Sequence, residues 1–408
     1  MKARLLITVL LAAALIATLA IGCGKDSADG RTTIVVGSVT DLTGPASHAV
    51  KYLRYALDDI VKYINEENPI PGVKLKVVMY DSQYNPARDI PGYDWCKDKG
   101  ATVIHTPLPT TAEILKQVAQ RDKVPVWTHA ATTPMIEPPG WVFCAGSLRQ
   151  ADVTSLMNWL SANKWDYQSQ GRKPRIGFLG YVESQGVASA KAMREYCEAH
   201  PDEFEFVAAV NAPLGQMTWS GEVERLKTCD FIQLGGGFAG MAEFIKQFEA
   251  KGYSTTWLGL DDVPSGRSLF VDMLGWGTLD GMLTFHPTRW WDDSASLVEL
   301  AESLIDRYHS SEAEDIVWQG AGYIGGFQQI YPMFDILREA VKEVGAENFD
   351  GQAFYNAAIK FRSTYEGYPT LEFTETARYL GAYHTVYEWS AEAQDLVRVT
   401  DWLPPVTG

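Results

Sequence analysis

The chain has 408 residues, of which 46% are hydrophobic and 21% charged, with a formal net charge of −16. That length exceeds what one hydrophobic core usually supports, so two lobes are expected, and the composition excludes wholesale disorder. A chain this acidic does not track a phosphate backbone, which argues against nucleic acid as a partner.

The first segment carries a targeting signal. Lys2 and Arg4 precede an uninterrupted run of apolar and small residues over 5–19, which ends in Leu19-Ala20-Ile21-Gly22-Cys23. This pattern is a secretory signal and lies outside fold reasoning. A small residue directly before a Cys resembles the lipobox of bacterial lipoproteins, with Ala20 standing where that motif more often has Leu. The resemblance implies a signal peptide over 1–22, acylation of Cys23, and a polar tether over 23–32. An ordinary cleaved signal or a single membrane anchor are the alternatives. Cys96, Cys144, Cys197 and Cys229 remain, with no CxxC and no metal-like pairing with His; buried thiols are expected, and neither a metal nor a cofactor.

From Thr33 the pattern alternates β and α. Strands are predicted over 34–39, 74–80, 102–105 and 124–128, with helices over 47–67, 87–98 (interrupted by Pro91 and Gly92) and 111–121, the last N-capped by Thr110. After a strand over 142–145 and a helix over 150–162 the alternation begins again. Strands follow over 174–179, 204–210, 230–234, 256–260 and 282–285, with helices over 186–200, 221–227 and 241–251. The stretch 294–360 reads as mainly helical, and 380–388 with 396–402 as a terminal hairpin. This order predicts an α/β protein of two Rossmann-like lobes, each a parallel-type sheet flanked by helices.

Three local signals bear on function. Gly235-Gly236-Gly237-Phe238-Ala239-Gly240 follows a strand, opens a helix and has Asp261 at the end of the next strand, which is formally the spacing of a dinucleotide fingerprint. An exported dinucleotide-binding enzyme is therefore one reading; the other is that a strand-to-helix turn near a ligand favours small residues. Thr106-Pro107-Leu108-Pro109-Thr110-Thr111 and Thr128-His129-Ala130-Ala131-Thr132-Thr133 end two strands of the first unit, where open α/β sheets bind ligands. Their hydroxyls and backbone donors suit a carboxylate, or serve as N-caps. The third signal is that no GxSxG elbow, HExxH or Walker loop occurs, which argues against an enzyme.

With these pieces in order, the chain resembles the branched-chain amino-acid-binding family of ABC transporter substrate-binding proteins, which have the type 1 periplasmic-binding fold. The carrying segments are IVVGSVTDLTGP, VVMYDSQYNP, ATVIHTPLPTTAEI, VPVWTHAATTP, FIQLGGGFAGMAEFIKQFEAKGYSTTWLGLDD and GMLTFHPTRWWDD. The resemblance implies a three-strand hinge between lobe 1 (33–146 and 287–362) and lobe 2 (147–286 and 363–408). It implies a ligand carboxylate held by Pro109, Thr110 and Thr111 and by Ala130 and Thr132, faced by Gln185, Gly237, Phe238 and Asp261 from the second lobe. The implied partners are a small ligand (an amino acid, related acid or amide), ABC permease subunits, and the membrane through the lipid anchor. A sensing receptor is the alternative use of such a clamp. Pro109 stands where the family often has Ser, Ala49 where it often has a bulky aromatic, and Gln185 where an aromatic is common, which together suggest a roomier pocket.

Overall fold

A computed structural model describes residues 30–381 and 383–405. The signal, Cys23 and most of the tether lie outside the described residues. The first sheet contains β1 (Thr32–Thr40), β2 (Val73–Asp81), β3 (Ala101–Thr106), β4 (Val126–Thr128) and β5 (Val142–Cys144), in the order β2-β1-β3-β4-β5 and all parallel. The second contains β6 (Arg175–Tyr181), β7 (Glu205–Ala212), β8 (Phe231–Leu234), β9 (Thr256–Leu260) and β10 (Leu283–His286), in the corresponding order β7-β6-β8-β9-β10 and again parallel. The interior strands read as near-continuous apolar runs because helices cover both faces. The repeat of strand order makes the two lobes copies of one topology. A short pair, β11 (Arg362–Ser363) and β12 (Leu371–Glu372), lies apart, and an antiparallel hairpin of β13 (Thr385–Ser390) and β14 (Asp395–Arg398) extends the second sheet next to β10.

Three local expectations are corrected. The helix Asp89–Asp98 is uninterrupted: Pro91 falls in its first turn, where no helical N–H partner is lost, and Gly92 lets the helix lie against the Tyr80 ring. The next helix, Pro109–Asp122, starts earlier than expected, with Pro109 at its first position and Leu108 as its cap, so Thr110 does not cap it. The terminal hairpin starts later than expected. Cys144 N–H donates to Arg378 O (2.8 Å) and Leu380 N–H to Cys144 O (3.0 Å), so 378–380 still runs beside β5 of the first sheet. The chain therefore returns to the second lobe between Leu380 and Thr385, not at 362–363. The other crossovers lie just after β5 and β10. After β10 the chain forms the helices Ser296–Tyr308, Ala313–Gln319 and Ala321–Val344; the last packs along Ser47–Glu66 of the first lobe.

Candidate functional site

The carboxyl ends of both sheets converge on a cavity of about 110 Å³. In an open α/β sheet the helix N-termini and strand ends leave this edge free for a ligand. From the first lobe, β3 and β4 deliver Pro107, Pro109, His129 and Ala130; from the second, the turns after β6 and β9 deliver Gln185, Asp261 and Asp262. Leu53, Gly325, Gly326 and Gln329 close one side from the paired helices, and Thr288 comes from a crossover.

At the centre is Arg149, the first residue of the helix Arg149–Asn163, with its side chain 2% exposed. A cation there opposes the helix dipole, so its position demands carboxylates. Three supply them: Asp261 Oδ1 lies 3.5 Å and Asp262 Oδ2 3.7 Å from Nη2, and Asp152 Oδ2 lies 3.6 Å from Nη1. Burial alone would lower the pKa of the guanidinium, but the surrounding carboxylates hold it up. Asp152 Oδ1 also accepts a 2.8 Å bond from Nε2 of His384, on the third crossover. Burial pushes Asp261 up to about 7 against the pull of Arg149, with Asp262 adding to the rise; Asp262 is raised by burial too. Arg149 Nε and Nη1 and Asp262 Oδ1 are buried without a hydrogen-bond partner. One cation among three carboxylates, with donors and an acceptor both unspent, suits a ligand that offers both an acceptor and N–H donors. Behind this set, His129 and His105 meet through their Nε2 atoms at 2.8 Å, and Ser38 Oγ lies 3.2 Å from His105 Nδ1. Burial pushes His129 down to about 3 and, with the neighbouring His129, holds His105 well below its ordinary value, so both rings are neutral and one of the two Nε2 atoms donates to the other.

Of the residues expected in the site, Pro109, Ala130, Gln185 and Asp261 line the cavity. The threonines lie elsewhere. Thr110 Oγ1 meets Ser184 Oγ across the lobes at 3.2 Å and accepts from Ser184 N–H at 3.4 Å. Thr132 Oγ1 lies 3.5 Å from Glu113 Oε2, and Thr111 donates to the buried Asp89 at 3.1 Å. Thr110 and Thr132 border a separate groove of about 690 Å³ beside Glu183 and Ser184. Phe238 joins Ala46, Val50, Leu108 and Leu53 in an apolar cluster that closes the lobes. Gly237 accommodates a neighbouring strand end: a Cβ there would stand 2.7 Å from Gly266 N and Val263 O. The space before the helix Ala239–Ala250 is thus filled by the chain's own backbone, which corrects the dinucleotide reading. The cleft is also tighter than expected. Ala49 does not line it, whereas Leu53, one turn further along, does.

Asp262, legible beside Asp261 as an equal candidate for the cleft, lines the cavity with it, whereas Arg149, Leu53 and Gln329 were missed. Arg149 had a legible signal, a cation at a helix start with an acidic pair elsewhere; the others did not. Among the described residues, no cluster of three metal-ligating side chains and no helix long and apolar enough to cross a membrane occurs. Cys96, Cys144, Cys197 and Cys229 are free and buried.

Two lobes of one topology, three crossovers and a polar cavity between facing strand ends define a solute-binding clamp. The chain belongs to the family described as periplasmic binding protein, whose pattern matches residues 33–391. The family binds small-molecule ligands and works with ABC-type permeases. The leucine-specific-binding protein of Salmonella typhimurium is 23% identical over 267 residues, covering 64% of this chain and 69% of that protein. A branched chain amino acid ABC transporter protein from Thermus thermophilus with bound valine superimposes with a TM-score of 0.80 at 16% identity, over 92% of this chain and 98% of that one. A fatty acid ABC transporter substrate-binding protein from Thermomonospora curvata gives 0.78 at 15% identity, over 94% and 95%. These relatives are solute-binding proteins, not enzymes.

Proposed function

We propose that the chain is the extracytoplasmic, lipid-anchored solute receptor of an ABC importer, closing on a small amino acid or a related carboxylate or amide and presenting it to the permease. The observation that carries the ligand class is the set of unpartnered atoms in the cleft. Arg149, whose Nε has no hydrogen-bond partner, offers a cation to a carboxylate or carbonyl oxygen, and Asp262, whose Oδ1 has none either, lies beside Asp261 as the acceptor for an amino group. Arg149 and the aspartates belong to the second lobe and engage the polar ends of such a ligand there, while Pro109, His129 and Ala130 cover the cavity from the first lobe and reach the ligand when the lobes meet. Binding is thereby coupled to closure.

The test is a thermal-shift and calorimetric screen of amino acids, short acids and amides. At least one is expected to raise Tm, since a ligand at 100 times its Kd adds about 2.7 kcal/mol. A screen that shifts nothing contradicts the reading. The anchor is tested separately: Cys23→Ser is expected to leave the protein unacylated and free of the membrane, or with its signal uncleaved. Wild-type protein that fractionates as freely soluble, with an N-terminus elsewhere, contradicts the anchor.

A further inference from the structure

The cleft is bounded on one side by a contact between two helices. Leu53 lies on Ser47–Glu66, Gly326 lies on Ala321–Val344, and both face the cavity. A Cβ at Gly326 would overlap Leu53 Cδ2, so the bare backbone at 326 is what allows Leu53 its present seat. Leu53 packs against the cluster of Ala46, Val50 and Leu108, which Phe238 of the other lobe also covers. The remaining space is about 110 Å³. A dry cavity of about 150 Å³ takes the six carbons of a benzene ring, so this one holds roughly four or five non-hydrogen atoms.

We infer that the cleft selects by size, with Leu53 seated on Gly326 as the wall that limits the ligand to the smallest amino acids, their amides, or compact amides such as urea. The inference rests on the solute-binding reading and narrows its ligand. Arg149, Asp261 and Asp262 line the same small space, so the polar head of the ligand occupies most of it. The isobutyl group of leucine, or the ring of a benzoate, then has no room beside that head. Each methylene that a pocket cannot accept is worth about 10- to 200-fold in discrimination.

The experiment titrates the purified protein with glycine, L-alanine, glycinamide and urea, and with L-leucine and benzoate, by calorimetry and thermal shift. At least one compact compound is expected to bind, with leucine and benzoate about 100-fold weaker or more. Leu53→Ala is expected to improve leucine binding at least about tenfold. Gly326→Ala, which displaces Leu53 from its seat at the cavity edge, is expected to weaken the compact ligand by about tenfold or more. Leu53→Ala combined with Gly326→Ala is expected to regain it, a rescue that a misfolded variant does not give. Wild-type protein that binds leucine or benzoate as tightly as any compact compound, or a Leu53→Ala variant with unchanged selectivity, overturns the size filter and leaves the clamp standing. Silence from every compound, in wild type and Leu53→Ala alike, overturns the filter and the solute-binding reading together.

Discussion

Arg149 illustrates how one side chain organises this cleft. Its guanidinium is buried at a helix start, and only Asp152, Asp261 and Asp262 make that tolerable. Truncating one partner of a buried ion pair typically costs about 3–5 kcal/mol, because the charges left behind lose their compensation. Arg149→Ala is therefore expected to lower the unfolding free energy by about that amount, as well as to abolish ligand binding. Calorimetric unfolding measures it, and a variant as stable as wild type contradicts the central role. Asp261 makes a pH prediction. Its side chain is 15% exposed, and burial raises it to about 7 from an unfolded value near 4. Between those values the folded state keeps a proton that the unfolded state has lost, so the contribution of Asp261 to stability declines as pH rises through about 7. Asp261→Asn has no such loss. Its stability relative to wild type is expected to grow from about pH 4 to about pH 7 and then level off; denaturant midpoints that move in parallel would contradict this.

At the scale of elements, the lobes meet through the first turns of two helices. Thr110, in the first turn of Pro109–Asp122, touches Ser184 at the start of Ser184–Ala199, where Glu183 caps the helix by accepting from Gln185 N–H and Gly186 N–H. A hydroxyl that reads in sequence as a ligand contact is thus a latch between lobes. Thr110→Val keeps the shape and removes the bond. A hydrogen bond contributes about 0.5–1.5 kcal/mol net, so ligand affinity is expected to fall roughly 2- to 10-fold, with a less compact liganded state in small-angle scattering. Thr111→Val, which removes the bond to Asp89 within one lobe, is expected to lower Tm without changing compaction. Equal effects of the two variants on compaction would argue against the latch.

Across the whole molecule, closure depends on a hinge in which backbones touch. Gly146 lies where a Cβ would overlap His129 O, and a Cβ on Gly381 would stand 2.7 Å from Gly146 C. Two crossovers therefore pass each other at a distance that only glycine permits, beside the strand end that carries the cleft. Overpacking costs about 1–3 kcal/mol, and here the obstacle is backbone that cannot rotate away. Gly146→Ala is expected to lower stability by at least that range, measured by denaturant unfolding. A variant within about 0.5 kcal/mol of wild type would show that the crossovers separate freely.

The alternation of apolar runs and amphipathic stretches was enough to reveal two parallel α/β units, because each strand and helix states its burial locally through its period. Asp261 and the residues around Pro109 and Ala130 were legible for the same reason, since a strand end in such a sheet points to the ligand edge. Which of those side chains face the cavity was not legible. Thr110, Thr132 and Phe238 are spent on contacts between and within lobes, and those partners are set by how the two units close on one another. Arg149, Leu53 and Gly326 enter the site from the helices Arg149–Asn163, Ser47–Glu66 and Ala321–Val344, which lie far apart along the chain. No local pattern records that they meet. The fold class is a sum of short-range periodicities, whereas the cavity's size and charge arise from long-range packing, which only the tertiary structure decides.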